Sequence, residues 1–320
     1  MRILVLGGSG FIGRHVVLAL LARGHRVIVG TRSPKRAARK LPAAAFACER
    51  REIHFEHLTS RYGWKPRLAG VDVVVNSVGI LRERGGATYD RVHSMAPAAL
   101  AAACECLGVR LIHVSALGLR RDARSAFIRS KIAAERAIVS GNADYSIVRP
   151  SLLDGEGGSG AGWLRRVARF PIHLYPAEAL GKIAALNVGD LAEAIAVLCE
   201  ARSKPKWREV ELGGSARRTL AEYLGALRAL HHDRPALRVP VPRLLARIAS
   251  HLCDLAHFSP FSFGHLELLR RDNAPGVNLL PVLLGRAPTP VGRELAELRP
   301  GYAFAVMPTG QETPVPPSPQ

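Results

Sequence analysis

Short apolar runs and longer amphipathic stretches take turns along this chain. Residues 2–6 form an apolar run, and residues 14–21 place apolar side chains at helical spacing beyond a glycine turn. That order predicts a strand, a tight turn and a helix. Arg23-Gly24-His25 closes the helix, and residues 26–30 read as the second strand. A third strand is expected near residues 52–55, a fourth over the β-branched run 71–80 and a fifth over 110–118. The alanine-rich stretch 97–107 is a helix with Pro97 near its first turn, and residues 125–131 lead into another over 132–139. Residues 144–151 and 209–212 supply further strands, and a helix starts near Thr219. Strands that are apolar throughout, separated by helices, predict an α/β protein with a doubly wound parallel sheet.

The turn after the first strand carries the candidate chemistry. Gly7, Gly10 and Gly13 are three residues apart, positions where a side chain would strike a phosphate or a neighbouring backbone. Between a strand and a helix, this spacing reads as a dinucleotide phosphate loop in a Rossmann-type sheet, against the plainer alternative of a glycine-rich turn. Gly7, Gly10, Phe11, Ile12, Gly13 and Arg14 are its candidate contacts. An acidic residue at the end of the second strand would bond the adenosine ribose hydroxyls, but this chain has Thr31-Arg32 there. Arg32 suits a 2′-phosphate, shared with Arg14 and Arg36, so NADP(H) is favoured and NAD(H) is the alternative. The plain alternative for Arg32 is a solvated loop charge. Ser77, Val78 and Gly79 end the fourth strand, where ligands of open α/β sheets lie.

Composition adjusts this picture in three places. With 320 residues, the chain accommodates a Rossmann core over residues 1–154, completed by about 186–214, and a smaller substrate or lid lobe from 155–185 and 215–300. The proline-rich segment 301–320 is expected to be disordered. Cysteines 48, 104, 106, 199 and 253 show no metal-ligand spacing, which points to buried thiols in a reducing, cytoplasmic setting and to no metal. No uncharged apolar run suits a transmembrane helix, and the opening strand leaves no room for a cleavable signal. The formal charge of +19 calls for an anionic partner: a phosphorylated cofactor, a membrane surface or an acidic protein. Basic residues cluster at 32–40, 202–208, 217–218 and 270–271 without any motif for specific nucleic-acid binding. The stretch 243–253 has apolar residues at helical spacing with Arg243 and Arg247 a turn apart. It reads as a core-packed lid helix or as an interfacial helix at a bilayer.

Several segments together resemble the atypical and extended short-chain dehydrogenase/reductase superfamily. They are Gly10-Phe11-Ile12-Gly13-Arg14-His15, Val78-Gly79-Ile80-Leu81-Arg82-Glu83, Val114-Ser115-Ala116-Leu117-Gly118, Arg129-Ser130-Lys131, Val148-Arg149-Pro150-Ser151 and Val188-Gly189-Asp190-Leu191-Ala192. The chain is similar in particular to the family of the NAD(P)-binding accessory subunit of respiratory complex I and its stand-alone bacterial relatives, over roughly residues 1–290.

The resemblance implies a catalytic serine at the end of the fifth strand, matched by Ser115, and a Tyr–Lys pair one helical turn apart, of which Lys131 is present. The tyrosine position is Phe127. Loss of a general acid costs about 10²–10⁴ in rate. Tyr89 is a conceivable displaced acid, with ordinary packing its plainer reading. Lys131 and Pro150 are implied near the nicotinamide. The adenine-contacting acidic residue of such relatives is matched by His54, and Asp190 is expected to cap the helix after Asn187. The functional expectation is an NADP(H) holder in a structural or redox-sensing role with weak or no turnover. Its site is cytoplasmic, with contact to a membrane complex or to the inner face of a membrane. The alternative is an NAD(P)-dependent reductase or nucleotide-sugar epimerase/dehydratase with a non-standard proton donor. Oligomeric state is left open.

Overall fold

Runs of β-branched residues stay in register only when both faces of the sheet are covered, and this chain builds that arrangement. The computed structural model describes residues 1–201, 207–256 and 262–292. In chain order come β1 (Arg2–Leu6), α1 (Phe11–Ala22), β2 (Arg26–Thr31), α2 (Pro34–Ala38), β3 (Glu49–Glu52) and α3 (Arg61–Trp64). They are followed by β4 (Val73–Asn76), α4 (Ala96–Leu107), β5 (Arg110–Val114), α5 (Ala126–Ser140) and β6 (Tyr145–Pro150). Then come β7 (Leu153–Asp154), α6 (Ser159–Ala168), β8 (Ile172–Pro176), β9 (Leu186–Asn187), α7 (Val188–Glu200) and β10 (Glu209–Leu212). The described chain closes with α8 (Leu220–Arg228), β11 (Leu237–Val241), α9 (Arg243–Ala256), α10 (Phe263–Leu269) and α11 (Leu280–Leu284).

The main sheet is parallel throughout, in the order β10-β6-β5-β4-β1-β2-β3. Alternate side chains of β1 feed opposite layers: Ile3 and Val5 pack under α1 and α7, whereas Leu4 and Leu6 join the layer with Leu100 of α4 and Ile138 of α5. Strand order reverses between β1 and β4, so a crevice opens beyond their carboxyl ends. A separate apolar cluster built from Leu164, Ile183, Tyr223, Leu224 and Leu227 forms the heart of a smaller lobe. α11 does not join that lobe: Leu280 and Leu283 pack into the same layer as α7.

Local differences from the sequence expectations have physical causes. The third strand is Glu49–Glu52, not 52–55, because pairing with β2 starts at Ile28 opposite Glu49. As a mostly exposed edge strand it needs no apolar run, and Ile53 and Phe55 are buried beyond its end. The helix starting at Ala96 is preceded by a π-helical turn, Arg91–Met95, a deviation that often accompanies functional sites. Asn187, not Asp190, caps α7: its side-chain oxygen accepts from the Gly189 amide at 2.7 Å. Asp190 instead accepts from Arg286, the Thr289 amide and the Thr289 hydroxyl. Cys104 and Cys106 do lie on different faces, one buried and the other exposed. The basic cluster at 202–208 lies mostly outside the described residues, and the expected disordered tail at 301–320 lies wholly outside them. Among the described residues no helix is long and apolar enough to cross a membrane.

Candidate functional site

The glycine loop is held by its own backbone. Gly7 adopts the left-handed φ of 72°, which lets the Gly7 and Gly8 amides donate to the Gly30 carbonyl while the Gly7 carbonyl accepts from the Gly10 amide. Gly13 lies beneath this loop, where a Cβ would stand 2.2 Å from the Gly7 oxygen. α1 is preceded by Gly10 as its N-cap, with no side-chain cap, so its first amides stay available to an anion at the positive end of a twelve-residue helix. A cradle that a Cβ would fill, with unclaimed N–H donors above it, fits a pyrophosphate.

One cavity of about 1310 Å³ runs from this loop into the smaller lobe. Gly7, Gly10, Phe11, Ile12, Arg32 and Arg36 line its first part, and Ser77, Val78, Gly79, Lys131 and Pro150 line its centre. The fold therefore gathers most of the residues singled out in the sequence. Gly13 supports the loop from below, and Arg14 turns aside: its Nη2 donates to the Glu156 carbonyl in the glycine-rich turn that follows β7. Beside Arg32 the cavity also meets Ser9, Thr31 and Lys40, with Ser9 and Thr31 hydroxyls hydrogen-bonded at 3.1 Å. His54, the nearest match to the relatives' adenine-contacting acid, is not among the residues lining the cavity. Ile53, Phe55 and the buried Glu56 line the cavity there, while the His54 ring pairs with Glu52 at 3.0 Å.

At the centre, a side-chain alternation decides what is presented. After β5 it is Ala116 that lines the cavity, while the Ser115 hydroxyl is buried without a hydrogen-bond partner. Neighbouring residues on an extended chain point to opposite sides, so one position separates a hydroxyl at the site from one beneath it. Phe127 and Lys131 sit one turn apart on α5, with the Lys131 Nζ 5.6 Å from the Phe127 ring centre. Burial lowers the Lys131 pKa to about 8, against a smaller raising effect from Glu135. Glu135 is itself held by Arg149.

Around Phe127 stand Tyr89, His93 and His265, at ring-centre distances of 5.8, 5.4 and 5.9 Å. The Tyr89 hydroxyl donates to the Leu81 carbonyl at 2.7 Å. His93, in the π-turn, accepts the Ile80 amide on Nε2 at 3.0 Å, and burial holds its pKa well below the usual imidazole value. Burial likewise pushes His113 down to about 3, and its Nδ1 meets the Asn76 amide at 3.1 Å. Burial thus disfavours the imidazolium form of both rings, of which His93 lines the cavity. His265 reaches the cavity from α10, and its Nδ1 lies 2.6 Å from the Ser262 hydroxyl. Nothing in its local sequence distinguishes it; only the docking of α10 on α5 brings it here. In the lobe, the lining side chains include Trp163, Leu164, Val167, Leu220, Leu224 and Leu268.

A parallel sheet with this switch point, a glycine loop and an open helix N-terminus together define a dinucleotide-binding α/β protein. The chain belongs to the NAD(P)H-binding family, whose model matches residues 7–169, and its cofactor is a nicotinamide dinucleotide. A ceramide reductase of Caulobacter vibrioides (strain NA1000 / CB15N) is 29% identical over 249 residues, which cover 75% of this chain and 74% of that protein. The mitochondrial NADH dehydrogenase (ubiquinone) 1 alpha subcomplex subunit 9 of Arabidopsis thaliana is 29% identical over 153 residues, 47% of this chain and 38% of that protein. In fold, the chain is similar to the UDP-glucose 4-epimerase of Thermus thermophilus solved with NAD. The TM-score is 0.62 at 20% identity, over 96% of this chain and 100% of that one.

Proposed function

We propose that this protein is an NADP(H)-dependent oxidoreductase for a substrate with a long apolar portion, with slow proton transfer because its site lacks the phenol. The observation that carries this reading is the single cavity joining the glycine loop to an apolar lobe. A nucleotide sugar brings a second pyrophosphate that needs cations. Among the described residues, the lysines and arginines lining the cavity are Arg32, Arg36 and Lys40, beside the loop, and Lys131 at the centre. None stands in the lobe, which disfavours the epimerase alternative. The relative named for ceramide reduction supports an apolar substrate.

The first amides of α1 take the pyrophosphate, and Arg32 with Arg36 takes the 2′-phosphate at the mouth of β2. Arg14, engaged with Glu156, holds the glycine-rich turn over Phe11 instead. A bound nicotinamide dinucleotide supplies a hydride. Lys131 donates to the nicotinamide ribose and keeps a proton at the centre, while Phe127 and Ala116 exclude water and give no hydroxyl to a substrate oxygen. A nucleotide holder in a structural or redox-sensing role is the second reading, favoured by the absence of both hydroxyls.

Calorimetric titration separates the cofactor claims. A charge-assisted contact is worth about 1.5–3 kcal/mol, so Arg32→Ala is expected to weaken NADPH by about 10–100-fold and to leave NADH nearly unchanged. Equal losses for both nucleotides would reject the 2′-phosphate assignment. For turnover, NADPH oxidation is followed with long-chain keto-lipids and with UDP-sugars. Oxidation driven by the lipids supports the oxidoreductase, conversion of a UDP-sugar overturns it, and tight nucleotide binding without any oxidation selects the second reading.

The proton on Lys131 gives a pH signature. Its pKa near 8 means that the ammonium is intact below that value and is lost above it. Affinity for NADPH is therefore expected to fall several-fold from about pH 7 to about pH 9, and Lys131→Met is expected to flatten that profile. An unchanged slope in the variant would remove Lys131 from the ribose.

A further inference from the structure

The helix α9 is built with its amphipathic face turned the unusual way. Small side chains face the protein: Ala246, Ser250 and Cys253 are buried. Large apolar ones face out, with Leu244, Leu245, Ile248 and Leu252 exposed by 69%, 56%, 49% and 54%. Leu244, Ile248 and Leu252 follow one another at successive turns and form one stripe. A core-packed lid helix would bury these leucines, so that reading of the stretch fails.

The adjoining strand pair continues the patch. β8 and β11 run parallel with Ile172 opposite Leu237, and both of these side chains are at least half exposed, as is Leu174. β11 leads into α9 through Pro242, and Arg243 at the helix start pairs with Glu178 just beyond β8. Scattered exposed apolar residues are ordinary, whereas a contiguous set marks a contact surface.

Its position says what the surface contacts. Leu174 and Leu245 are more than half exposed and also line the cavity, so they form its rim. Val241, Ala246 and Ala249 continue the lining from them. The apolar chamber thus opens through the apolar surface. Exposed Arg169 precedes β8 and exposed Arg243, paired with Glu178, opens α9, on a chain of formal charge +19. An apolar surface on a strongly cationic chain matches a bilayer whose headgroups are anionic.

We propose that α9 and the exposed side of β8–β11 dock the protein on an anionic lipid bilayer with the cavity mouth against the membrane, so that an apolar-chain ligand enters without crossing water. The entry step rests on the proposed apolar substrate; docking does not, and is measured without one.

The test is co-sedimentation of the full chain with phosphatidylglycerol/phosphatidylcholine vesicles, with pure phosphatidylcholine vesicles as comparison, and with NADPH titrated in parallel. Binding to the anionic vesicles is expected to exceed that to the neutral ones and to weaken with added salt. The triple variant Leu244→Glu/Ile248→Glu/Leu252→Glu, in residues outside the cavity lining, is expected to lose more than about tenfold in vesicle affinity with NADPH affinity intact. Unaltered sedimentation of that variant overturns the proposal, and so does a wild type that ignores both vesicle types. Sedimentation velocity covers the competing occupant: a stable wild-type dimer that the same variant dissociates also overturns it. Loss of NADPH binding in the wild type, with docking intact, would count against the proposed function alone.

Discussion

Gly13→Ala is expected to abolish measurable NADPH binding and to lower the melting temperature. The added Cβ would lie 2.2 Å from the Gly7 oxygen and 2.7 Å from both the Gly7 carbonyl carbon and the Gly8 Cα, all of them backbone. No rotamer relieves such a clash, so the loop must lift from the helix. Overpacking of this kind costs about 1–3 kcal/mol in stability. The functional loss is larger, because a lifted loop moves the amides that face the pyrophosphate, and more than about 100-fold in affinity is expected from losing two or more charge-assisted hydrogen bonds. The thermal shift on adding NADPH reads both effects, since a ligand that no longer binds no longer stabilises. Gly24→Ala is the control: its φ is 76°, with no atom within 4 Å of the new Cβ, so it strains the backbone without touching the loop. A Gly13→Ala protein that keeps a full NADPH shift would refute the assignment of this loop.

Phe127→Tyr is expected to raise NADPH oxidation by about 10²–10⁴, the usual contribution of a positioned general acid. Phe127 lines the cavity, and Lys131 lies one helical turn away with its Nζ 5.6 Å from the ring centre. A phenol beside that ammonium would have a lowered pKa and would donate more readily near neutral pH. Nucleotide affinity should stay within about twofold, because the change adds one oxygen outside the phosphate loop. Adding Ala116→Ser supplies the second missing hydroxyl, and the pair should exceed the sum of the single gains, since both act on one substrate oxygen. A folded Phe127→Tyr protein that binds NADPH and oxidises none with any carbonyl would mean that this part of the cavity does not meet substrate.

The residues of the glycine loop and of the parallel strands were legible because their signals are local. A turn that needs a left-handed Gly7, followed at once by a helix, is a short-range requirement. So is the placement of Phe127 and Lys131 on one helical face. Errors fell where pairing or packing overrides pattern. The apolar residues Ile53 and Phe55 attracted the third strand toward themselves, but pairing with β2 set the strand three residues earlier and left them to line the cavity. Ser115 matched a motif by type, and it took the tertiary structure to show its hydroxyl buried without a hydrogen-bond partner while its neighbour Ala116 lines the cavity.

By itself the sequence determined the glycine loop, the succession of the seven main-sheet strands, and the absence of a phenol at position 127. Tertiary structure decided which face of α9 is buried, that Asp190 is claimed by Arg286 and Thr289, and that His265 meets Phe127 across the cavity. The reason is one of range. Backbone geometry and periodicity act between neighbours in the chain, whereas burial is settled by what distant segments leave uncovered, and here they leave uncovered the leucines at the mouth of the cavity.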